Sequence, residues 1–302
     1  MREVIFNAKN CRIERSSDKN IFDDCSNIVF AEFGENVIHV PSYLFENCKS
    51  LKTVSFKGGV KKIKKMAFYS CDKIETIDLS NCITDEIEDY AFADCYGLKS
   101  FTFSKNLRII GKGALYYCKN LMNIEIPDSV TDIKDDAFAG CRSISNIKMG
   151  ENIENIGNGA FRGFEKISSI NIPKKIINLG EGVFYGWLEL KEVIWNAEAC
   201  ILAGTDGCPV FSECNKLETI VIGSSVKTIP SFAFYNCSGL VNVTIGANVT
   251  IIEELAFSGC DKLNNISFNG TIEQWNNIKK GKYYLYDTPV SQIVCSDGNV
   301  EL

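Results

Sequence analysis

The sequence predicts an α/β repeat solenoid, in which about eleven repeats of 23 residues lay their strands side by side in one parallel sheet. Three observations lead to this prediction. An aromatic or leucine anchor recurs at a nearly constant spacing, an apolar strand pattern follows each anchor, and most anchors are followed by a cysteine three residues later. One such repeat is too small to bury its own core, so stacked neighbours must supply it.

The anchor column sets the period of the array. Successive anchors are 23 residues apart, except for one gap of 24 and one of 27, and an aliphatic residue always follows six residues after the anchor. The eleven anchors are Phe22, Phe45, Phe68, Phe92, Leu115, Phe138, Phe161, Phe184, Phe211, Phe234 and Phe257.

Each repeat also contains one strand and one tight turn. Apolar residues stand nine and eleven residues after the anchor, and the residue between them is polar in all but two repeats, which is the period of a β-strand. The Ala-Phe pair at the anchor follows small and acidic residues, which predicts a short helical or irregular turn on the convex side. Because every repeat runs the same way round the coil, the strands are predicted to be parallel.

Two long repeats and an atypical end define the predicted boundaries. Residues 2–25 and 191–214 match each other position by position, so the chain begins within a repeat, as part of a longer array would. The solenoid is predicted over 1–268. Residues 269–302 lack the Ala-Phe pair, which predicts a C-terminal cap.

Composition argues against several classes of function. A net charge of −6 and a pI near 5.1 argue against general nucleic-acid binding. The sequence has no apolar run long enough to span a membrane, and MREVIFNAKN lacks the apolar core of a signal peptide.

The cysteines are predicted to be buried, reduced thiols. Two repeats carry Phe164 and Trp187 where the others have cysteine, and neither a metal ligand nor a disulfide half can be replaced by these residues. Spacing between adjacent repeats alone leaves disulfides open. The column comprises Cys25, Cys48, Cys71, Cys95, Cys118, Cys141, Cys214, Cys237 and Cys260. The redox state is left open for Cys11, Cys82, Cys200, Cys208 and Cys295.

No catalytic or metal-binding set is predicted. The chain has no C-x-x-C pair, and its only histidine, His39, is interpreted as a surface residue beside the core. Neither a cofactor nor a metal is therefore expected.

A basic run is interpreted as part of the stacking. When the repeats are aligned by their anchors, its four lysines lie over four acidic residues of the next repeat. We therefore interpret the charges as stabilising the correct order of the repeats rather than as a site for a polyanion. The lysines Lys61, Lys62, Lys64 and Lys65 face Asp85, Glu86, Glu88 and Asp89.

The phrase I-x-x-x-A-F-x-x-C-x-x-L-x-x-I-x-I, as in IKDDAFAGCRSISNIKM, resembles the BspA-like leucine-rich repeat family of bacterial surface proteins. The resemblance covers roughly residues 20–268 and departs from the pattern at Leu115, at Val183 and in the long repeats. It implies a leucine-rich repeat fold and a noncatalytic cell-surface or secreted protein that serves adhesion and protein–protein interaction.

The predicted function is accordingly a surface-exposed or secreted binding module. Its partner is expected to be a protein or glycan ligand, including a host or matrix surface, and the chain is expected to be a monomer. The alternatives are an intracellular leucine-rich repeat scaffold and a glycan-binding or glycan-processing protein. The predicted ligand-binding face comprises Thr53, Asp78, Thr102, Glu125, Lys148, Asn171, Ile194, Trp195, Thr219 and Val221, with the preferred contact point around Ile194, Trp195 and Val221.

Overall fold

The computed structural model describes residues 2–7, 22, 27–198, 200–202 and 209–302. The chain divides into two compact units, unit 1 (Met1–Ile153) and unit 2 (Glu154–Leu302). Within each unit, successive repeats place their strands in parallel register, so that each unit is a parallel-sheet solenoid.

Two kinds of strand alternate along the described part of unit 1. Those of three or four residues form the face strands, and the others have only two residues. In chain order the strands are β1 (Glu3–Phe6), β2 (Phe30–Phe33), β3 (His39–Val40), β4 (Thr53–Phe56), β5 (Lys62–Ile63), β6 (Thr76–Asp78), β7 (Glu86–Ile87), β8 (Ser100–Thr102), β9 (Ile109–Ile110), β10 (Asn123–Glu125), β11 (Asp132–Ile133) and β12 (Asn146–Lys148).

The face strands of unit 1 are β1 and the even-numbered strands. β1, β2 and β4 pair in parallel, as do β6 with β8 and β10 with β12. The two-residue strands β3, β5, β7, β9 and β11 form a second parallel ladder. In β6 the buried Ile77 lies between the exposed Thr76 and Asp78, the alternation that directs one side chain into the core and its neighbours outward.

Unit 2 repeats this arrangement and adds a helix near its end. Its elements are β13 (Asn155–Ile156), β14 (Ser169–Ile172), β15 (Asn178–Leu179), β16 (Glu192–Trp195), β17 (Ile201–Leu202), β18 (Thr219–Ile222), β19 (Thr228–Ile229), β20 (Asn242–Ile245), β21 (Ile251–Ile252), β22 (Asn265–Phe268), α1 (Ile272–Asn277), β23 (Lys279–Lys280), β24 (Gln292–Cys295) and β25 (Gly298–Glu301).

The face strands of unit 2 are β14, β16, β18, β20, β22 and β24. They pair in parallel, and all but the last pairing, β22 with β24, extend over four residues. The two-residue strands fall into two groups, β13–β15–β17 and β19–β21–β23. The division coincides with the long repeat 191–214, whose residues 199 and 203–208 lie outside the described chain.

The anchor turns are irregular rather than helical. In the turn around Phe45, Tyr43 and Asn47 have φ of 62° and 61°, and the same two positions are left-handed in most other repeats. Left-handed residues on both sides of the anchor interrupt any helix. The sequence left open whether these turns were helical or irregular, and the α/β label applies only loosely, because α1 is the one α-helix in the described chain.

Neighbouring anchor turns form a third hydrogen-bonded ladder. The anchor N–H of one repeat donates to the carbonyl of the alanine that precedes the next anchor, as between Phe45 and Ala67 and between Phe68 and Ala91, both at 2.8 Å. The alanines at this position are fully buried. Alanine suits this position because consecutive turns lie in backbone contact, although Val183 and Val210 take the same place in two repeats.

The core of each unit is built around a stack of anchor rings. In unit 1 the ring centroids of Phe45, Phe68 and Phe92 follow at 5.6 and 5.0 Å. In unit 2, Phe211 and Phe234 are 5.7 Å apart. These rings are parallel to within 15° and almost fully buried, so each repeat completes the core of its neighbours.

The segment 269–302 contains one further repeat that the sequence pattern did not reveal. β23 pairs with β21, β24 pairs with β22, and Phe257 N–H donates to the Tyr284 carbonyl at 2.9 Å. Leu285 thus takes the anchor position, between left-handed Tyr283 and Asp287. Because helix α1 lengthens this repeat, Leu285 does not follow the preceding anchor by 23 residues, and Leu285 is not aromatic. The 23-residue pattern therefore did not reveal this repeat. β25 then turns back antiparallel to β24.

Candidate functional site

The predicted binding residues of unit 1 all lie on the outer side of the face strands. Thr53, Asp78, Thr102, Glu125 and Lys148 are exposed. The parallel register places Asp78 beside Thr102 and Glu125 beside Lys148. The structure thus brings four of these five residues together in two neighbouring pairs, and Thr53 lies in neither pair.

In unit 2 the predicted residues form a less polar surface. Asn171, Ile194 and Val221 are neighbours in register across β14, β16 and β18. Asn171 is exposed, whereas Ile194, Thr219 and Val221 are half-buried. Ile194 and Val221 therefore form an apolar pair on the outer side of the sheet.

The placement of Trp195 on this face is wrong. Trp195 is 1% exposed, and its ring packs in the core against Phe211 and Phe234 at centroid distances of 6.4 and 5.7 Å. It ends a strand whose inward positions are Val193 and Trp195, so the alternation of the strand directs its ring inward.

Much of the polar face is occupied by bonds between its own side chains. Lys148 Nζ donates to Glu125 Oε1 at 2.5 Å, and Asn265 Nδ2 donates to Asn242 Oδ1 at 2.9 Å. On either side of the apolar pair, Asn196 binds Asn171 at 2.7 Å, and the hydroxyls of Thr244 and Ser267 are 3.3 Å apart. Ile194 and Val221 lie between these two polar pairs.

Six of the column cysteines are hydrogen-bond donors as well as core residues. The thiol of Cys71 donates to the Phe45 carbonyl at 3.0 Å, and the thiol of Cys95 donates to the Phe68 carbonyl at 3.2 Å. Cys118, Cys141, Cys214 and Cys260 make the same bond to the preceding anchor at 3.2 Å. Each thiol therefore links its repeat to the one before it.

Trp187 explains why the column tolerates an aromatic residue. Its indole Nε1–H donates to the Phe161 carbonyl at 2.7 Å, in the place of a thiol. The sequence showed that cysteine was replaceable and so indicated packing. Trp187 has a side-chain donor where most other repeats have a thiol. This was the signal in the sequence for a hydrogen-bonding role, which was not predicted.

The described thiols are free and poorly suited to nucleophilic chemistry. The eleven described cysteines are free of disulfide bonds and buried. Burial raises the pKa of Cys95, Cys214 and Cys260 to about 12, and that of Cys71 well above its usual value. A thiol with a raised pKa carries little thiolate at neutral pH.

The cysteines outside the column follow the same rule where they are described. Cys82, Cys200 and Cys295 are free and buried, and burial raises their pKa, to about 11 for Cys82 and about 12 for Cys200. Cys11, Cys25 and Cys208 lie outside the described residues.

His39 lies on β3 and is half-buried. Its Nδ1 has no hydrogen-bond partner among the described residues, and burial together with Lys64 and Lys62 lowers its pKa. Within the described ranges, no group of three or more His, Cys, Asp or Glu residues is arranged to hold a metal ion.

The predicted stacking of the basic run is confirmed for two of its lysines. Lys61 Nζ lies 3.5 Å from Asp85 Oδ2, and Lys62 is ion-paired and hydrogen-bonded to Glu86. Glu88 is used differently, because its carboxylate accepts the backbone N–H of Lys65 at 2.9 Å.

Asp89 repeats that backbone contact one repeat later. It accepts the backbone N–H of Lys112, also at 2.9 Å. The acidic residues ahead of the anchor thus join repeats through backbone donors as well as through ammonium groups.

No helix in the described part of the chain is long and apolar enough to cross a membrane. The curated proteins gave no significant match to this sequence.

Solved structures of proteins from several bacteria match this chain. A leucine-rich repeat protein from Bacteroides ovatus is 21% identical with a TM-score of 0.57, over 97% of this chain and 83% of that one. A leucine rich cell surface protein from Faecalibacterium prausnitzii is 22% identical, with a TM-score of 0.43, over 92% of this chain and 90% of that one. A leucine-rich repeat protein from Eubacterium ventriosum is 19% identical, with a TM-score of 0.44, over 88% and 85%.

The family comparison covers most of the chain. The sequence matches a BspA type leucine rich repeat region, described as six copies, at residues 15–130, 85–201 and 207–298. Together with the stacked parallel strands and the anchor column, this match shows that the chain belongs to the BspA type leucine-rich repeat family.

Proposed function

We propose that this protein is a noncatalytic binding module that recognises a protein partner through the outer side of its face strands. The observation that carries the proposal is the apolar pair Ile194 and Val221, which are in register on β16 and β18 and lie between hydrogen-bonded polar pairs. An apolar centre surrounded by satisfied polar groups is typical of the energetic centre of a protein interface.

The rest of the face supports alignment of a partner rather than strong attachment. Exposed pairs such as Lys148 and Glu125 already bind each other, and a new partner gains little from displacing them. Their fixed positions on a rigid sheet help to orient the partner. Leucine-rich repeat solenoids are suited to this role because they present a regular extended surface.

We further propose that the protein is located at the cell surface and acts in adhesion. Membership of the family supports this location and this role. The alternative, an intracellular scaffold, is favoured by the eleven free thiols, which a reducing compartment would preserve. Protease treatment of intact cells of the source organism separates the two, because only a surface protein is cleaved without lysis.

The binding face is tested by single charge insertions. We expect Ile194→Asp or Val221→Asp to abolish binding to protein partners identified on an array of purified surface and matrix proteins. Thr102→Asp is the matched control, because Thr102 occupies the corresponding strand position in unit 1. Equal binding by Ile194→Asp and the wild type, or equal loss in Thr102→Asp, would contradict the proposed contact point.

We also propose that residues 269–302 close the end of the repeat array. β25 pairs antiparallel to β24, whereas the face strands of the repeats pair in parallel. A terminal segment that departs from the repeat pattern is a common means of covering an open solenoid core.

A further inference from the structure

A polar groove with a volume of about 510 Å³ lies in unit 1, where the segments leading into β4, β6 and β8 run side by side. Lys52, Thr53, Asp72, Lys73, Thr76 and Lys99 are among its lining residues. The groove is independent of the proposed protein-binding pair, which lies in unit 2.

The charges of the groove are only partly compensated. Asp72 is bound to Lys49 at 3.0 Å, and Glu75 is bound to Lys99 at 3.0 Å. Lys52 and Lys73 have no ion pair among the described residues. Three lysines and two carboxylates line the groove, which leaves one net positive charge in a chain whose net charge is −6.

The neutral groups of the groove are hydrogen-bonding groups. Thr53 and Thr76 contribute hydroxyls, which both donate and accept. Asn120 is held in place because its Nδ2 donates to the Tyr96 carbonyl at 2.7 Å. Tyr96 itself is 39% exposed, and its hydroxyl donates to Asp94 at 3.1 Å.

We infer that this groove binds an acidic saccharide. A carboxylate or sulfate of the ligand is attracted to Lys52 and Lys73, while its hydroxyls donate to the carboxylates and exchange hydrogen bonds with Thr53 and Thr76. An acidic peptide fits less well. Asp72 and Glu75 repel the anionic groups of either ligand, but an acidic peptide supplies few hydroxyl donors to compensate.

The inference is tested by calorimetric titration of the full chain with sulfated heparin oligosaccharides and with oligogalacturonate, which carries carboxylates only. We expect at least one of them to bind, and the binding to weaken as salt is added. The double variant Lys52→Gln, Lys73→Gln should bind about tenfold more weakly, because two exposed ion pairs are lost. Comparison of the two probes identifies the anionic group.

The matched control is Lys191→Gln, Lys216→Gln, which changes the equivalent positions after anchors Phe184 and Phe211 in unit 2. This variant should bind the acidic oligosaccharides like the wild type. Equal weakening by both double variants would mean that binding depends only on the overall charge of the protein, and would overturn the inference. Urea unfolding of each variant excludes loss of folding as the cause.

Two further probes separate the ligand classes. A neutral maltooligosaccharide should bind poorly, and polyglutamate should bind more weakly than oligogalacturonate. Binding of polyglutamate with equal affinity and the same dependence on Lys52 and Lys73 would make this a site for acidic peptides. Failure of both acidic saccharides to bind would also overturn the inference. Ile194→Asp should leave the titration unchanged, which keeps this test independent of the proposed protein-binding face.

Discussion

At the residue scale, the column cysteine satisfies a backbone carbonyl that the anchor turn leaves half-used. The Phe68 carbonyl accepts the N–H of Cys71 at 3.3 Å and the thiol of Cys95 at 3.2 Å. Both lone pairs of a buried carbonyl are thereby occupied. Cysteine suits this position because its side chain is small, apolar enough for the core and still able to donate.

Two members of the column allow the hydrogen bond to be measured. The thiol of Cys260 donates to the Phe234 carbonyl, whereas among the described residues Cys237 has no such bond. Both are at most 3% exposed. We expect Cys260→Ala to lower the free energy of unfolding by about 0.5–1 kcal/mol more than Cys237→Ala, measured by urea unfolding. Equal losses would mean that the thiol contributes only packing.

The buried thiols also predict a loss of stability at alkaline pH. Burial raises the pKa of Cys95 from 9.0 to about 12, so the unfolded thiol ionises first as pH rises. Its stabilising contribution is complete below pH 9 and is lost between pH 9 and about 12, by about 1.4 kcal/mol per pH unit.

The corresponding measurement compares urea unfolding of the wild type and Cys95→Ala at about pH 8 and about pH 10.5. Alanine does not titrate, so the stability difference between the two proteins should shrink at the higher pH. A difference that stays constant would show that Cys95 ionises equally readily in both states.

At the scale of the element, the anchor turn depends on a left-handed residue on each side of the anchor. The position two residues after the anchor is mostly glycine, asparagine or aspartate, the residues that tolerate this conformation best. That column was the sequence signal for an irregular turn. When the repeats stack, this turn conformation allows the N–H groups of one turn to donate hydrogen bonds to the carbonyls of the next turn.

Gly186 isolates the backbone contribution. Its φ is 71°, and a Cβ at this position would meet no atom within 4 Å. We therefore expect Gly186→Ala to lower the free energy of unfolding by about 1–2 kcal/mol through backbone strain alone. Gly186→Asn should cost less, since asparagine adopts this conformation more readily. Chemical denaturation of the three proteins tests the ranking, and an alanine variant as stable as the wild type would refute it.

At the scale of the whole molecule, each repeat stabilises mainly the repeats beside it. The anchor rings contact the rings of adjacent repeats, and all three hydrogen-bonded ladders also join adjacent repeats. Stability in such an array is approximately a sum of local terms and nearest-neighbour terms. Damage to one repeat should consequently decline with distance along the chain.

Phe92→Ala tests this locality. Phe92 is fully buried and its ring lies 5.0 Å from that of Phe68, so we expect a loss of about 3–5 kcal/mol. Hydrogen exchange should show the greatest loss of protection in β6 and β8 and a smaller loss in β18 to β22. A uniform loss of protection along the described chain would contradict nearest-neighbour stabilisation.

The sequence by itself determined the repeat length, the parallel strands, the inward residues and the burial of the cysteines. These follow from periodicity, because the same apolar positions recur in every repeat and must face a shared core. It could not identify Leu285 as an anchor, since helix α1 changes the spacing and only strand pairing reveals the alignment.

The candidate site depended more heavily on the tertiary structure. Alternation along a strand places Ile194 and Val221 outward, but the register of β16 and β18 decides that they are neighbours. The burial of Trp195 was legible in the same alternation and was overlooked. The groove around Lys52 and Lys73 joins residues from consecutive repeats. That these lysines have no ion-pair partner among the described residues becomes evident only when the side chains of neighbouring repeats are compared in space. Periodicity fixes which residues face the core, whereas contacts between repeats decide which exposed groups remain available to a ligand.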